Sequence, residues 1–193
     1  MRFWLAVSLG FLVAWPKAQQ QKADKSVSRA GASEHGFDEL TLASLRPGRD
    51  GMVKAERLMP GRSRITDEGT NRIWRDSCGR ILSVIADSGG TILQVSAAKG
   101  PGANPGCSNG ETDRWVTGHG LALGSSCSRV TALYGQPGSR GPSTKDGQQL
   151  ELLYYAFDWA GTDVPQLMAV LCTPGKNGKA GRVVEITLEA PSL

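Results

Sequence analysis

The chain repeats itself. Leu121-Ala122-Leu123-Gly124 is followed by Val130, then Leu133-Tyr134, then Pro137-Gly138. Leu45-Arg46-Pro47-Gly48 is followed by Val53, then Leu58, then Pro60-Gly61, and the interval from the Val to the Pro is seven residues in both copies. The ends of the copies also correspond. Leu82-Ser83-Val84-Ile85-Ala86 matches Met168-Ala169-Val170-Leu171-Cys172, and Ile92-Leu93-Gln94-Val95-Ser96 matches Val183-Val184-Glu185-Ile186-Thr187. Self-similarity at this scale constrains a fold strongly, because each copy has to form the same supersecondary unit.

Within each unit the last strand alternates. Leu93, Val95 and Ala97 oppose Gln94 and Ser96, while Val184, Ile186 and Leu188 oppose Glu185, Thr187 and Glu189. Period two with one polar set marks an antiparallel strand with one wet face. Ahead of it, a Gly or Ser opens a short helix with a Val and a Leu on one stripe, and Pro-Gly stops it. An edge strand follows, around 71–75 in the first copy and 150–157 in the second, and a hairpin completes the sheet. The first hairpin turn, Asp87-Ser88-Gly89-Gly90, is rich in residues that tolerate positive φ. The second is the longer Thr173–Gly181 segment. The expected fold class is α+β: two tandem repeats, each a short helical segment packed on one face of a three- or four-stranded antiparallel sheet. The expected boundaries are repeat 1 over 38–100, a connection over 101–111 and repeat 2 over 112–190.

Export is the expected fate. After Met1-Arg2, an apolar run from Phe3 to Trp15 is too short to span a bilayer comfortably and fits the h-region of a signal peptide. Residues 1–18 are read as that peptide, cut after Ala14 or Ala18, and 19–37 as a polar disordered linker. The net charge of +4 comes from dispersed residues, which argues against a nucleic-acid partner. No cysteine directly follows the apolar run, so no lipid attachment site and no stable membrane anchor after cleavage are expected. Cys78, Cys107, Cys127 and Cys172 are even in number and contain no C-x-x-C. That pattern favours two disulfides in an oxidising compartment, periplasmic or secreted, over a zinc or thioredoxin-type site. The sequence leaves three pairings open.

The segment Gly120-Leu121-Ala122-Leu123-Gly124-Ser125-Ser126, with Val130, Leu133-Tyr134-Gly135 and Pro137, resembles the helical signature of small outer-membrane lipoproteins of the SmpA/OmlA (BamE) type. It is also similar to the β-lactamase inhibitory protein group, which carries two such repeats in tandem. In those families a glycine begins the helix pair, a Val sits mid-helix and Gly-x-Pro ends it before a three- or four-stranded sheet. The resemblance covers most of 38–190 by pattern. The first copy has Met59 where the second has Gly135. On this model Cys127 lies in a helix and Cys172 ends the strand beneath it, while Cys78 and Cys107 flank the first hairpin. The implied pairing is Cys78–Cys107 with Cys127–Cys172, and Cys107–Cys127 is the main rival.

Chemistry-bearing residues are sparse. His35 falls in the linker and His119 in a Gly-His-Gly turn. Ser125, His119 and Asp113 have no nucleophile elbow to support a triad. Gly118, Gly120 and Gly124 have the wrong spacing for a dinucleotide loop, and metal-ligand spacings are missing. Asp67-Glu68 and the pair Glu151 and Asp158 read as surface charges. The expectation is a non-catalytic protein without a cofactor or metal. Aromatic residues are the better clue. Trp74, Trp115, Tyr134, Tyr154, Tyr155, Phe157 and Trp159 concentrate in the edge strands and the second repeat. In 150–157 both alternating sets are apolar, so both faces need cover, from the other repeat or from a partner. Trp74, Tyr154, Tyr155 and Trp159 are the partner-binding candidates. The expected function is an exported binding module that recognises a protein partner through its sheet face and aromatic-rich second repeat. The alternative is a cell-envelope assembly or structural factor without a lipid anchor. Truncating Tyr155 or Trp159 is expected to abolish capture and leave the fold intact.

Overall fold

The computed structural model describes residues 38–59, 61, 63–66, 70–103, 107, 114–158, 165–176, 178 and 180–190. The expected signal peptide and linker lie outside them. The strands are β1 (Arg64–Thr66), β2 (Asn71–Arg75), β3 (Arg80–Ala86), β4 (Ile92–Lys99), β5 (Ser139–Lys145), β6 (Gln148–Asp158), β7 (Pro165–Cys172) and β8 (Val183–Glu189). They form one eight-stranded sheet in the order β1-β2-β3-β4-β8-β7-β6-β5, and every neighbouring pair is antiparallel. Helix α1 (Met52–Leu58) has 7 residues and α2 (Cys127–Tyr134) has 8.

This architecture corrects the expected α+β pair of helix-plus-sheet repeats. One continuous sheet dominates the described residues, and the helices among them are two short ones. The cause lies at β4 and β8, whose edges pair over Gln94–Ala98 and Glu185–Glu189. The meanders β1–β4 and β5–β8 therefore share one ladder. The segments expected at sheet edges are β2 and β6, each with a further strand outside it. Strand β5 has no apolar pattern because it lies at the margin, where Gly141 and Pro142 cost no internal ladder bond.

One face carries the core. Register aligns Trp74, Leu82, Ala97, Ile186, Val170 and Leu153 in one row, and Val84, Val95, Leu188, Met168 and Tyr155 in the next. None of these is more than 3% exposed. Leu42, Leu45, Met52, Ala55, Met59, Leu121, Val130 and Tyr134, from the helices and the chain entering them, complete the same cluster. Each large side chain buried here contributes about 1.5–3 kcal/mol.

The chain before each helix docks through its main chain. Gly48 N donates to Ile92 O (2.6 Å), Ile92 N to Asp50 O (2.8 Å) and Met52 N to Gly90 O (2.8 Å). Likewise Gly124 N donates to Val183 O (2.8 Å), Val183 N to Ser125 O (2.9 Å) and Cys127 N to Gly181 O (2.9 Å). With these groups turned toward the entry loops, the register shifts beside them, between Ile85 and Ala86 and between Leu171 and Cys172. The bulges turn Ile92 and Val183 inward, both 0% exposed, which breaks the alternation read from Leu93 and Val184. The same bonds match Met52 with Cys127, so Ala55 rather than Val53 is the counterpart of Val130. Val53 is 77% exposed, and Met52 and Ala55 form the buried stripe of α1, continued by Met59 just beyond its end.

Local signals set the ends of α2. The Ser126 hydroxyl accepts from Arg129 N at 3.3 Å, an N-cap bond. Gly135 follows with φ 74°, a conformation that glycine adopts without strain. Cys78 is bonded to Cys107 and Cys127 to Cys172, with Cα separations of 5.7 and 6.2 Å. The second bridge ties α2 to the end of β7.

Candidate functional site

The face of the sheet opposite the helices is the candidate site. Its middle row runs Ile73, Ser83, Ser96, Thr187, Ala169, Tyr154 and Ser139. One neighbouring row runs Ile81, Ala98, Glu185, Leu171 and Leu152, and the other runs Ile85, Gln94, Glu189, Leu167 and Ala156. The pattern has three zones. A polar spine of Ser83, Gln94, Ser96, Glu185, Thr187 and Glu189 occupies the centre, on β3, β4 and β8. Ile73, Ile81 and Ile85 flank it on one side, and Leu152, Tyr154, Leu167, Ala169 and Leu171 on the other. All eight flanking side chains are half-buried.

The spine is wired internally. Thr187 Oγ1 donates to Ser96 Oγ at 2.9 Å, Ser96 Oγ donates to Glu185 Oε1 at 3.5 Å, and Ser83 Oγ donates to Asn71 Oδ1 at 3.2 Å. Lys145 Nζ is ion-paired with Glu185 Oε2. Lys145 ends the marginal strand β5, while Glu185 lies on β8, three strands further in. The sheet therefore curls toward this face, and the pair, partly exposed, contributes little net stability. The β5–β6 turn has φ 50° at Asp146 and 73° at Gly147, the two positive values of a tight primed turn. It overhangs a cleft of about 290 Å³ whose other wall is Gly100–Ala103, with Leu150 and Val184 also lining it. A hollow of about 370 Å³ beside it is lined by Ile81, Ser83, Gln94, Ser96 and Glu185. Burial raises the Tyr154 hydroxyl above its ordinary range, and the negative charge of Glu189 adds to the effect.

Tyr154 is the one predicted aromatic on this face among the described residues. Trp74 (3% exposed) and Tyr155 (2%) stand in the covered rows. The Tyr155 ring packs 5.8 Å from Tyr134 and 5.9 Å from Phe157, and its hydroxyl donates to Gly135 O at 3.2 Å. Burial pushes its pKa up to about 12. Both residues are therefore core, and Tyr155 cannot be truncated without harm to the fold. The two apolar sets of β6 are now distinguished: Leu153, Tyr155 and Phe157 face the core, while Leu152 and Tyr154 face the open side. Trp159 lies outside the described residues.

Of the weaker catalytic candidates, the structure describes the side chains of Ser125, His119 and Glu151. Ser125 Oγ accepts from Ala122 N at 3.3 Å, and His119 Nε2 lies 3.2 Å from Asp38 O. Glu151 pairs with Arg140 at 3.1 Å. His35, Asp67, Glu68, Asp113 and the side chain of Asp158 are outside the description. No group of His, Cys, Asp and Glu able to hold a metal occurs among the described residues, and none of their helices is long and apolar enough to cross a membrane.

One polar centre has no sequence signature. Glu39, 1% exposed, accepts at Oε1 from the main-chain N–H of Leu40 (3.0 Å), Thr41 (3.0 Å) and Gly118 (2.9 Å). At Oε2 it accepts from His119 N (3.1 Å) and the Tyr134 hydroxyl (2.8 Å). The Tyr134 and Thr117 hydroxyls are 2.7 Å apart, and Thr117 Oγ1 accepts from Leu121 N at 3.0 Å. Burial raises the Tyr134 pKa well above the usual phenol range, the Thr117 hydrogen bond opposes the rise, and the Glu39 charge adds to it. A Cβ at Gly118 would lie 2.8 Å from both Glu39 Oε1 and Thr41 Oγ1, so a side chain there would have to displace these groups. The network ties the entry segment 38–42 to the loop before α2. It lies on the helix-bearing side of the sheet, away from the candidate site.

No protein-family model, no curated protein and no solved structure matches this chain.

Proposed function

We propose that this chain is an exported, non-catalytic binding module that captures a protein partner on the open, curled face of its sheet. The observation that carries this reading is the arrangement of that face. A polar spine that can orient a partner lies between two half-buried apolar flanks that can exclude water, and the molecule builds its own core on the other side. Apolar anchors around well-placed polar groups are what a specific protein contact needs. Tyr154, an aromatic side chain with a polar tip, is the natural anchor on the β6–β7 flank. Two disulfides are compatible with a periplasmic or extracellular location. The reading also suits the resemblance of the 120–137 motif to the SmpA/OmlA (BamE) and β-lactamase inhibitory protein groups.

The test uses the immobilised, oxidised chain against envelope and extracellular fractions. Tyr154→Arg and Ile85→Arg place a charge on opposite flanks, and Val53→Arg, on exposed α1, is the control. A partner held by wild type and by Val53→Arg, and lost from both open-face variants at unchanged melting temperature, supports the reading. Equal retention by the open-face variants, or no retained protein at all, refutes it. An outer-membrane assembly component as the retained partner selects the envelope-assembly role.

A further inference from the structure

One carboxylate of the open face has no counterpart. Glu189, the last residue of β8, is exposed and takes part in no ion pair among the described residues. Its register neighbours are Gln94 on β4 and Leu167 on β7, neither of them charged. The cations of this face sit elsewhere. Lys145 is paired with Glu185, four residues back along β8 and so about 13 Å away. Arg75 and Lys99 belong to that end too. Arg75 shares the row of Ile81, Ala98 and Glu185, and Lys99 follows Ala98. Arg64, opposite Ile73, is on β1, four strands from β8.

The surroundings of Glu189 define what it can take. Tyr154 leads a row that continues through Ala169 and Thr187, and the next row over the same strands runs Ala156, Leu167 and Glu189. The main chains at Tyr154 and Glu189 stand about 10 Å apart across the strands and about 7 Å apart along them. Ala169, a small residue, separates Tyr154 from β8. The corner is therefore shallow, with a phenol on one side, a carboxylate on the other and Leu167 beside them. Burial first, and the Glu189 charge second, raise the Tyr154 hydroxyl above its ordinary range, so the two groups act on each other. A partner seated on this face would strip water from Glu189. An apolar cover would leave the carboxylate desolvated and unpaired, and an acidic one would add repulsion; both are costly. A cation meets the aromatic ring and the carboxylate together. A guanidinium suits the pair better than an ammonium, because its flat group stacks on the ring while its N–H groups reach the carboxylate. Its methylene stem can lie along Leu167.

We propose that the partner captured on the open face presents an arginine side chain to the corner between Tyr154 and Glu189. The proposal rests on the capture reading above and names the chemistry of the partner's anchoring group.

Titration of the isotope-labelled, oxidised chain with the peptide acetyl-Leu-Thr-Arg-Thr-Leu-amide, followed by amide chemical shifts, tests it. The expected result is binding with a dissociation constant of roughly 1 mM and the largest shifts at Tyr154, Ala169 and Glu189. The same peptide with citrulline, which keeps the shape and loses the charge, should bind about three- to fivefold more weakly, the worth of one partly exposed charge pair. Glu189→Gln, at an exposed position, should abolish that difference. Glu151→Gln, which breaks an ion pair with Arg140 on the helix-bearing face, should preserve it. Equal binding of the two peptides by wild type, an undiminished difference in Glu189→Gln, shifts confined to other parts of the chain, or no binding at all overturns the proposal. The capture reading stands or falls separately. A protein lost from Tyr154→Arg but fully retained by Glu189→Gln upholds capture and overturns the arginine. Arginine-selective peptide binding by a chain that retains no protein upholds the corner and overturns capture.

Discussion

The Glu39 network permits a graded stability prediction. Glu39→Gln keeps an oxygen for Leu40, Thr41 and Gly118, but sets an amide NH₂ against His119 N and Tyr134 Oη. The Tyr134 hydroxyl can turn toward Thr117 and accept from the amide. The His119 N–H cannot turn, and a buried donor left without an acceptor costs about 1–3 kcal/mol. The expected loss for Glu39→Gln is about 2 kcal/mol. Glu39→Ala removes the acceptor for all five donors, and water entering the space restores some of the bonds, so about 4 kcal/mol is expected. Tyr134→Phe leaves Glu39 its four N–H donors and should cost about 1–2 kcal/mol. Because Glu39 and Tyr134 touch, the double variant should depart from additivity by about 1 kcal/mol. Urea unfolding of the oxidised proteins, followed by tryptophan fluorescence, to which buried Trp74 contributes, measures each value. For a chain of this size Glu39→Gln corresponds to a fall of about 4–8 °C in melting temperature. Glu56→Gln, which breaks a pair whose carboxylate side chain is 48% exposed, is the control and should change stability by less than about 0.5 kcal/mol. A Glu39→Gln protein as stable as this control, or a Glu39→Ala protein no worse than Glu39→Gln, would refute the assignment of these bonds as a buried network.

The two disulfides should not be equivalent. Loop closure over separations of 29 and 45 residues predicts similar values, about 3.6 and about 4 kcal/mol. Cys172 belongs to the core cluster and Cys127 packs against it, whereas Cys78, 3% exposed, is not part of that cluster, so Cys127→Ala/Cys172→Ala also opens a void in the main core. It should lose about 1 kcal/mol more than Cys78→Ala/Cys107→Ala in urea, and equal losses would show that the void collapses. Tyrosine ionisation gives a pH prediction. The folded pKa of Tyr155 is raised to about 12, so its contribution to stability is complete below pH about 10, the unfolded value, and is lost as pH rises through about 12. Absorbance at 295 nm should therefore show Tyr134 and Tyr155 ionising only as the fold gives way. Ionisation of all three tyrosines near pH 10 with the circular dichroism intact would contradict their burial.

How much of this was legible in the sequence depended on whether a feature is local. Hairpins β3–β4 and β7–β8 were legible, because alternation and Gly-rich turns act between neighbours. Their inward faces were misread by one position, at Leu93 and Val184, because the bulges follow from bonds made by Gly48 and Gly124, far off in sequence. The stripe of α1 was misplaced for a related reason. Val53 has the larger apolar side chain, yet the docking bonds put small Ala55 against the sheet and leave Val53 in solvent. The β4–β8 seam, which turns two expected sheets into one, leaves no mark in either strand, since a strand has the same pattern whatever it pairs with. Glu39 was missed because its acceptors serve mostly main-chain N–H groups, which every residue but proline carries.

The candidate site shows the same limit from the other side. Both apolar sets of β6 promised burial, but nothing in the alternation says which face the helices will cover. That choice separates Tyr155, a core residue, from Tyr154, its neighbour on the open face. An aromatic residue marks a binding surface only once the fold has spent its covering elements elsewhere. Here the two short helices and their entry loops are committed to one side of the sheet. The polar spine points to the same conclusion: Ser96 and Thr187, bonded to each other at 2.9 Å across the seam, put hydroxyls at the centre of a face whose margins are apolar. A second core layer would favour the reverse order, with apolar residues at the centre and polar ones at the rim. The observed order suits the proposed role, a face that meets water when alone and a partner when bound.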